Sequence, residues 1–514
     1  MNQSTGWVVG FDSECQWANT RAMATRVLHA TSLARDLGRW RTDADDGSSR
    51  RRTSRPTYRA LADGVRLLIH DGRIPLGVGL PSERDLSAAL ELSRTTITSS
   101  YAVLREEGYL ISKQGARSTV ALPDAARPNG ILLQTKSSSG PVVDMSHAAM
   151  AAPTEAMLAA YGSALQALPT YLSTHGMEPI GLAVLREAIA RRFTERGLAT
   201  TPDQIMVTSG AQQALGLLLG TLTSPGDRVL IDHPTYPNAL EAIRRIGARP
   251  VPVPIRPDDD AWDLEGIRSA ARQTAAKVAY MILDFHNPTG RCLDADGRAE
   301  LARIARDTSM TLIVDETMVD LWLDSPPPPP VASFGRVSGT DIVTIGSASK
   351  SYWGGLRIGW IRANPSLISQ LAGSRAAHDL GTSIMDQLAA GFLLEDADAI
   401  LETRRTQLRE RRTVLEDAIA EHLPGWRYRR STGGMSLWLQ IPAPVSSALA
   451  ATAPAFGAVL AAGPRFGVEG AFERFLRMPY TREPAELAAA VTATAAAYRA
   501  LAPTVEGQQP ALVF

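Results

Sequence analysis

Short apolar runs recur through the middle of the chain, and each is closed by polar or glycine-rich residues. Ile205 to Thr208, Arg228 to Ile231, Val278 to Leu283 and Leu312 to Val314 are such runs. Their length and their apolar character predict buried strands. Helical patterns separate them, and strands that alternate with helices predict an α/β domain with a mostly parallel sheet. In such sheets ligands gather at the ends of the strands. The residues that close each run are therefore the first candidates for chemistry.

The densest of these closures is Ser347-Ala348-Ser349-Lys350-Ser351-Tyr352-Trp353-Gly354-Gly355-Leu356-Arg357. It sets one lysine between hydroxyls and follows it, after a glycine turn, with one arginine. A lysine amine condenses with an aldehyde to give a Schiff base. Serine hydroxyls such as Ser347 and Ser349, with a guanidinium fork from Arg357, suit a phosphate monoester. Aldehyde and phosphate on one small molecule describe pyridoxal 5'-phosphate (PLP). The chain spends lysine sparingly: Lys113, Lys136, Lys277 and Lys350 are all it has.

Other strand ends fit the same cofactor. Asp315 closes the run at Leu312 and offers a carboxylate to a pyridinium nitrogen, which keeps the ring an electron sink. Asn287, in His286-Asn287-Pro288-Thr289-Gly290, offers a donor to the ring's phenolic oxygen. Gly210, Ala211 and Gln212 open a helix whose free amides suit a phosphate. Tyr236, in His233-Pro234-Thr235-Tyr236-Pro237, can stack on the ring. Singly each of these motifs is weak, since Asn-Pro-Thr-Gly alone is a turn and an Asp at a strand end is commonly a helix cap. In this order and spacing they resemble the fold-type I PLP enzymes, the aspartate aminotransferase-like family, from about Gly181 to about Arg477.

That resemblance implies two further points. Arg477, in Phe475-Leu476-Arg477-Met478-Pro479, matches the arginine that grips an amino acid's α-carboxylate, which makes an amino compound the expected effector. Two tyrosines of the catalytic pattern are missing, with Met318 and Gly176 in their places. Their loss removes hydrogen-bond donors from around the cofactor and favours a sensor over an efficient enzyme.

A second module stands in front. Leu61, Val65, Leu68 and Ile69 keep a helical period. Ser82 and Ser93 each stand where a helix N-cap belongs, ahead of an apolar face. Gly108 to Ser112 and Ser118 to Val120 predict a hairpin closed by Gln114-Gly115-Ala116-Arg117. Helices followed by a small hairpin predict a winged helix-turn-helix. The Pro81-Ser82-Glu83-Arg84 run, then Ser93-Arg94-Thr95-Thr96, then a glycine wing resemble the GntR-type DNA-binding domain. A hydroxyl and an arginine at the start of the second helix can reach the major groove. The resemblance implies DNA contact by Arg84, Ser93, Arg94, Thr95 and Thr96, and by Gly115 and Arg117 in the wing. A GntR-type module ahead of an aminotransferase-like domain is the architecture of the MocR subfamily of transcription regulators. That family binds PLP, dimerises through its large domain and regulates transcription according to cofactor or amino compound.

Composition sets the outer limits. The 514 residues carry no net formal charge, so DNA binding must come from local placement of charge. Two cysteines, Cys15 and Cys292, make no disulfide framework and suit a reducing cytoplasm. No apolar run approaches a membrane span, the start lacks signal-peptide order, and no metal site is expected. The expected divisions are an N-terminal extension at 1–56, partly helical over Ala24 to Trp40 and otherwise disordered; a winged helix at 57–122; a linker at 123–150; and the PLP-binding α/β domain at 151–514, ending in a smaller α+β subdomain. The expected function is a PLP-binding, DNA-binding regulator acting as a homodimer on an operator. The alternative is a working PLP-dependent aminotransferase that carries a DNA-binding module.

Overall fold

The computed structural model describes residues 27–37, 56–70, 74, 78–111, 118–121, 142–255, 262–335, 342–468 and 470–506. They fall into two units, one built mainly from the chain up to Asp124 and one mainly from the chain after it. The smaller unit contains α1 (Ala30–Leu37), α2 (Thr57–His70), α3 (Glu83–Leu90), α4 (Arg94–Glu106) and the strands β1 (Leu110–Ile111) and β2 (Thr119–Val120). Ser82 Oγ accepts from Asp85 N at 3.1 Å, and Ser93 Oγ from Thr96 N at 3.1 Å, so both expected N-caps are in place. β1 and β2 pair antiparallel, with Leu110 opposite Val120. Leu61, Val65, Leu68 and Ile69 of α2 are buried, together with Leu86, Ile97, Tyr101 and Leu104, in one core. The expected helix at Ala24 to Trp40 is shorter at its start. Leu28 N donates to Gly79 O at 2.9 Å and Val27 bridges to Gly79, which holds that stretch extended. Trp40, Gly115 and Arg117 lie outside the described residues.

The larger unit begins with β3 (Val143–Asp144), α5 (Thr154–Ala167) and α6 (Ala183–Glu195). Strands and helices then alternate: β4 (Ile205–Thr208), α7 (Ala211–Leu222), β5 (Arg228–His233), α8 (Pro237–Arg245), β6 (Arg249–Pro254), α9 (Leu264–Thr274), β7 (Val278–Met281), α10 (Ala295–Asp307), β8 (Thr311–Asp315) and β9 (Ile342–Ser347). The short helix α11 (Ala348–Ser351) leads to β10 (Gly359–Arg362). These strands make one seven-stranded sheet in the order β4-β10-β9-β8-β7-β5-β6. Four of its pairings are parallel, but β10 runs antiparallel to both neighbours. The connection from Ser347 to Gly359 explains this. A parallel return needs a crossover of about a dozen residues or more, commonly a full helix, and this loop is spent on one short helix and a glycine turn.

Helices α12 (Pro365–Arg375), α13 (Ile384–Glu395) and α14 (Ala397–His422) follow, and then a smaller α+β region. Its elements are β11 (Arg427–Tyr428), β12 (Ser436–Gln440), α15 (Ser446–Thr452), β13 (Ala458–Val459), β14 (Ala461–Ala462), β15 (Phe475–Pro479) and α16 (Pro484–Glu506). β11, β12, β15 and β14 form a four-stranded antiparallel sheet. β3 pairs parallel with β13, so the end of the expected 123–150 linker is built into this unit. Met145, Ala148 and Met150 supply the reason, since all three are buried in the unit's core.

Candidate cofactor and DNA-binding sites

The carboxyl ends of β4, β5, β7, β8 and β9 bring the expected cofactor residues together. The α7 end is the phosphate-sized corner. Gly210, at φ 91°, turns the chain from β4 into the helix. A Cβ there would lie 2.6 Å from Arg357 Nη2, so the turn needs glycine both for its backbone and for its space. Arg357 Nη2 donates to Ser209 O at 2.8 Å, which lays the guanidinium beside the start of α7. Helix geometry leaves the first amides there, those of Ala211 and Gln212, without intrahelical acceptors. The Gln212 side chain is exposed and turns away, with Nε2 donating to Asn238 O at 3.4 Å. Ser349 Oγ is buried and has no hydrogen-bond partner. Ser347 differs: its hydroxyl accepts from Ser349 N at 3.1 Å and donates to Ile358 O at 3.2 Å. Ser347 therefore serves first as the cap that shapes α11.

Asp315 and Lys350 form the reactive end. Asp315 is 6% exposed. Its carboxylate accepts from Tyr280 Oη at 2.6 Å and from Thr317 N at 3.0 Å. Burial raises its pKa, while Tyr280, Thr317 and the Lys350 charge act the other way. Lys350 Nζ donates to Ala148 O at 2.6 Å. Burial foremost, then the nearby Arg477 charge, pulls the amine down to about 8, with Asp315 opposing. Tyr236 caps α8, and its hydroxyl accepts from Asn238 Nδ2 at 2.8 Å.

Asn287 and Arg477 meet at 3.3 Å through Asn287 Oδ1 and Arg477 Nη1, which leaves the Asn287 amide as a donor. Arg477 Nη2 donates to Ser146 O, and its Cζ lies 5.0 Å from the Phe466 ring centre. Its Nε is buried with no partner. Behind Asn287 sits a buried bracket. Asp232 accepts from Trp262 Nε1 and from Ile282 N, each at 2.7 Å, and lies 3.6 Å from His286 Nε2. Burial raises Asp232 to about 7 and lowers His286 to about 3, so the bracket holds the loop without a formal ion pair. Met318 is buried in the apolar core and Gly176 is exposed at φ 72°.

Sequence reading missed Tyr280, Asp232, Trp262, and the carbonyls of Ser146 and Ala148. Tyr280 had one available signal: a hydroxyl inside an otherwise apolar buried strand needs a partner.

In the smaller unit Arg84, Ser93, Arg94 and Thr95 are exposed or partly so, and Thr96 lies beside them at the start of α4. Ser93 Oγ also bonds Thr96 Oγ1 at 2.7 Å, so both hydroxyls help fix that start. Among the described residues Arg84 and Arg94 have no ion-pair partner. Glu83 links α3 to α4 through Thr98 Oγ1 at 2.7 Å and Arg105 Nη2 at 3.5 Å.

The Aminotransferase class I and II profile matches residues 141–493, which is most of the chain. The chain belongs to that family. The profile of bacterial regulatory proteins of the gntR family matches residues 57–120, so the chain joins a GntR helix-turn-helix region to an aminotransferase region, as MocR-type regulators do. It is 29% identical over 412 residues to the uncharacterized HTH-type transcriptional regulator YdcR of Escherichia coli (strain K12), covering 76% of this chain and 87% of that one. It is 26% identical to the uncharacterized HTH-type transcriptional regulator YdfD of Bacillus subtilis (strain 168), covering 77% and 87%. Enzyme relatives match less of it: the 2-aminoadipate transaminase of Thermus thermophilus is 26% identical over 54% of this chain and 68% of its own length. Among solved structures, LysN, the alpha-aminoadipate aminotransferase of Thermus thermophilus, superposes with a TM-score of 0.66 at 24% identity, over 71% of this chain and 93% of that one. That structure holds N-(5'-phosphopyridoxyl)-L-leucine.

Proposed function

We propose that this protein is a transcription regulator that binds DNA through its GntR-type segment and responds to PLP, or to PLP with an amino compound, in its aminotransferase-like unit. One observation carries the reading. The chain keeps a full binding cradle, Lys350, Asp315, Asn287 and Arg357, but has buried Met318 where the family pattern sets a tyrosine. The residues present fit the cofactor. Ser349 Oγ is an unpartnered buried hydroxyl on the same loop as Arg357, and Asp315 is a buried carboxylate at the far end. When bound, PLP supplies an aldehyde and an electron-withdrawing ring. Lys350, whose amine burial lowers to about 8, would be the nucleophile in its neutral fraction; Asp315 would hold the ring nitrogen's proton; Arg357, Ser349 and the α7 amides would hold the phosphate. Arg477 offers its free Nε to an effector carboxylate.

The regulator works in the cytoplasm as a homodimer. Leu158, Leu165 and Leu172, seven residues apart, are 61–70% exposed along and just beyond α5, and a second copy is the partner proposed for this stripe. Light scattering on a Leu158→Glu, Leu165→Glu variant is expected to give a monomer where the parent protein gives a dimer. A second reading, a working aminotransferase with a DNA-binding module, is favoured by Arg477 alone. Turnover with a panel of amino and keto acids separates the two. The regulator reading expects turnover near the uncatalysed rate together with PLP-dependent gel shifts, and brisk transamination would overturn it.

A further inference from the structure

Four cationic side chains, from α11, α14, β15 and the turn after it, hold one stretch of backbone. Arg482 Nε donates to Asp144 O at 3.0 Å, Arg477 Nη2 to Ser146 O, Lys350 Nζ to Ala148 O at 2.6 Å, and Arg404 Nη2 to Ala151 O at 2.6 Å. The outer two, Arg482 and Arg404, lie outside the ligand cradle. The inner two are the amine and the guanidinium on which the proposed function depends. Asp144 shapes the stretch between them. Its Oδ1 accepts from Ser146 N at 2.8 Å and from Ser146 Oγ at 2.6 Å, and its Oδ2 meets His147 Nδ1 at 3.0 Å. The side chains of Met145, Ala148 and Met150 are buried beneath, while His147 and Ala149 are exposed.

We propose that residues 144–148 form a strap that competes with ligands for Lys350 and Arg477, and that Asp144 is the positioning residue that holds the strap in its competing form. The proposal rests on the PLP reading above and adds its regulation. Both inner contacts are lost or weakened for chemical reasons. When a neutral Nζ condenses with an aldehyde, its two hydrogens leave with the carbonyl oxygen as water, and its donors toward Ala148 go with them. A carboxylate that grips Arg477 side-on needs Nε and Nη2 together. Nε is unpartnered, but Nη2 is held by Ser146 O, and an anionic acceptor outcompetes a neutral carbonyl there. Arg482 and Arg404 keep the ends pinned, so the middle loosens. In sequence the strap closely follows residues 122–141, which join it to the GntR-type segment.

Hydrogen exchange on the full-length protein tests this, with absorbance recording PLP occupancy. The free protein is compared with protein bound to PLP and with protein bound to N-(5'-phosphopyridoxyl)-L-alanine, a probe that carries ring, phosphate and carboxylate but no aldehyde. Amides of 144–150 are expected to exchange about tenfold faster in both complexes, the worth of one charge-assisted hydrogen bond. A normal PLP band with unchanged or slower exchange overturns the strap and leaves the cofactor reading intact. Absence of the band overturns both. Asp144→Ala is expected to bring the free protein to the bound exchange level and to speed PLP uptake by about tenfold, with Asp144→Asn, which keeps an acceptor, restoring most of the parent behaviour. Should Asp144→Ala fail to fold, Ser146→Ala, which removes only the hydroxyl's bonds, is expected to shift uptake the same way by about threefold. Unchanged uptake in a folded variant overturns the proposal.

Discussion

At Lys350 the pKa becomes a kinetic expectation. An ordinary lysine is almost wholly charged at pH 7, but an amine at about 8 is roughly one-tenth neutral there. The neutral form is the nucleophile, so PLP uptake followed by stopped-flow absorbance should rise about tenfold per pH unit below 8 and level off above it. A plateau that waits until the ordinary lysine range would show that burial does not tune this amine. Tyr280 gives a second expectation. Tyr280→Phe keeps the ring in the core and removes one donor from Asp315 Oδ2. The carboxylate then holds its charge less well, and PLP affinity should fall by about 5- to 30-fold, or 1–2 kcal/mol, with a shifted pH titration of the absorbance band. Unchanged affinity and titration would reduce Tyr280 to a packing residue. Lys350 and Asp315 were legible because each sits in a local pattern that states its chemistry. Their partners were not. Tyr280 is 35 residues from Asp315, and Ala148 is 202 from Lys350; sheet register and strap placement bring them together, and neither is written locally.

Among the elements, strands flanked by clear turn signals were the most legible: Ile205–Thr208 is both the predicted run and the observed strand. The strand at Val143 was hidden in a segment whose neighbours have linker composition, and two residues carry no periodicity. The antiparallel β10 was hidden because strand direction depends on the length of the connection rather than on apolar pattern. The turn from β4 into α7 gives the test at this scale. Gly210→Ala places a methyl against the Arg357 fork and strains a backbone at φ 91°. Strain of about 1–3 kcal/mol falls on the phosphate corner, and the displaced fork adds to it. PLP affinity should therefore drop more than tenfold by equilibrium dialysis, while far-ultraviolet circular dichroism stays at the parent value. An equal loss in Gly216→Ala, where a Cβ meets nothing within 4 Å, would show that helix α7 and not its turn is at fault.

For the whole molecule the decisive property is that its two chemistries sit on separate residues. Net charge is zero, so DNA affinity has no global field to draw on; in the proposed reading it rests on a few exposed side chains such as Arg84 and Arg94. One lost base or phosphate contact costs about 1–3 kcal/mol, and a two-fold dimer loses it twice. Arg94→Ala should thus weaken binding to a selected operator by at least about a hundredfold at fixed salt, with the PLP absorbance band untouched. Arg94 stands at the first turn of α4 and its side chain holds no described partner, so the fold loses nothing with it. The reciprocal change, Lys350→Ala, should erase the band and leave the winged helix folded, but remove the response of DNA affinity to PLP. Coupling between two sites on one protein typically amounts to about 1–3 kcal/mol, or about 5- to 150-fold in affinity. Gel shifts of parent, Arg94→Ala and Lys350→Ala proteins, each with and without PLP, therefore give distinct patterns: responsive, silent, and bound but unresponsive. If the Lys350→Ala protein responds to PLP as the parent does, the aminotransferase-like unit is not the sensor, and the enzyme reading becomes the one to pursue.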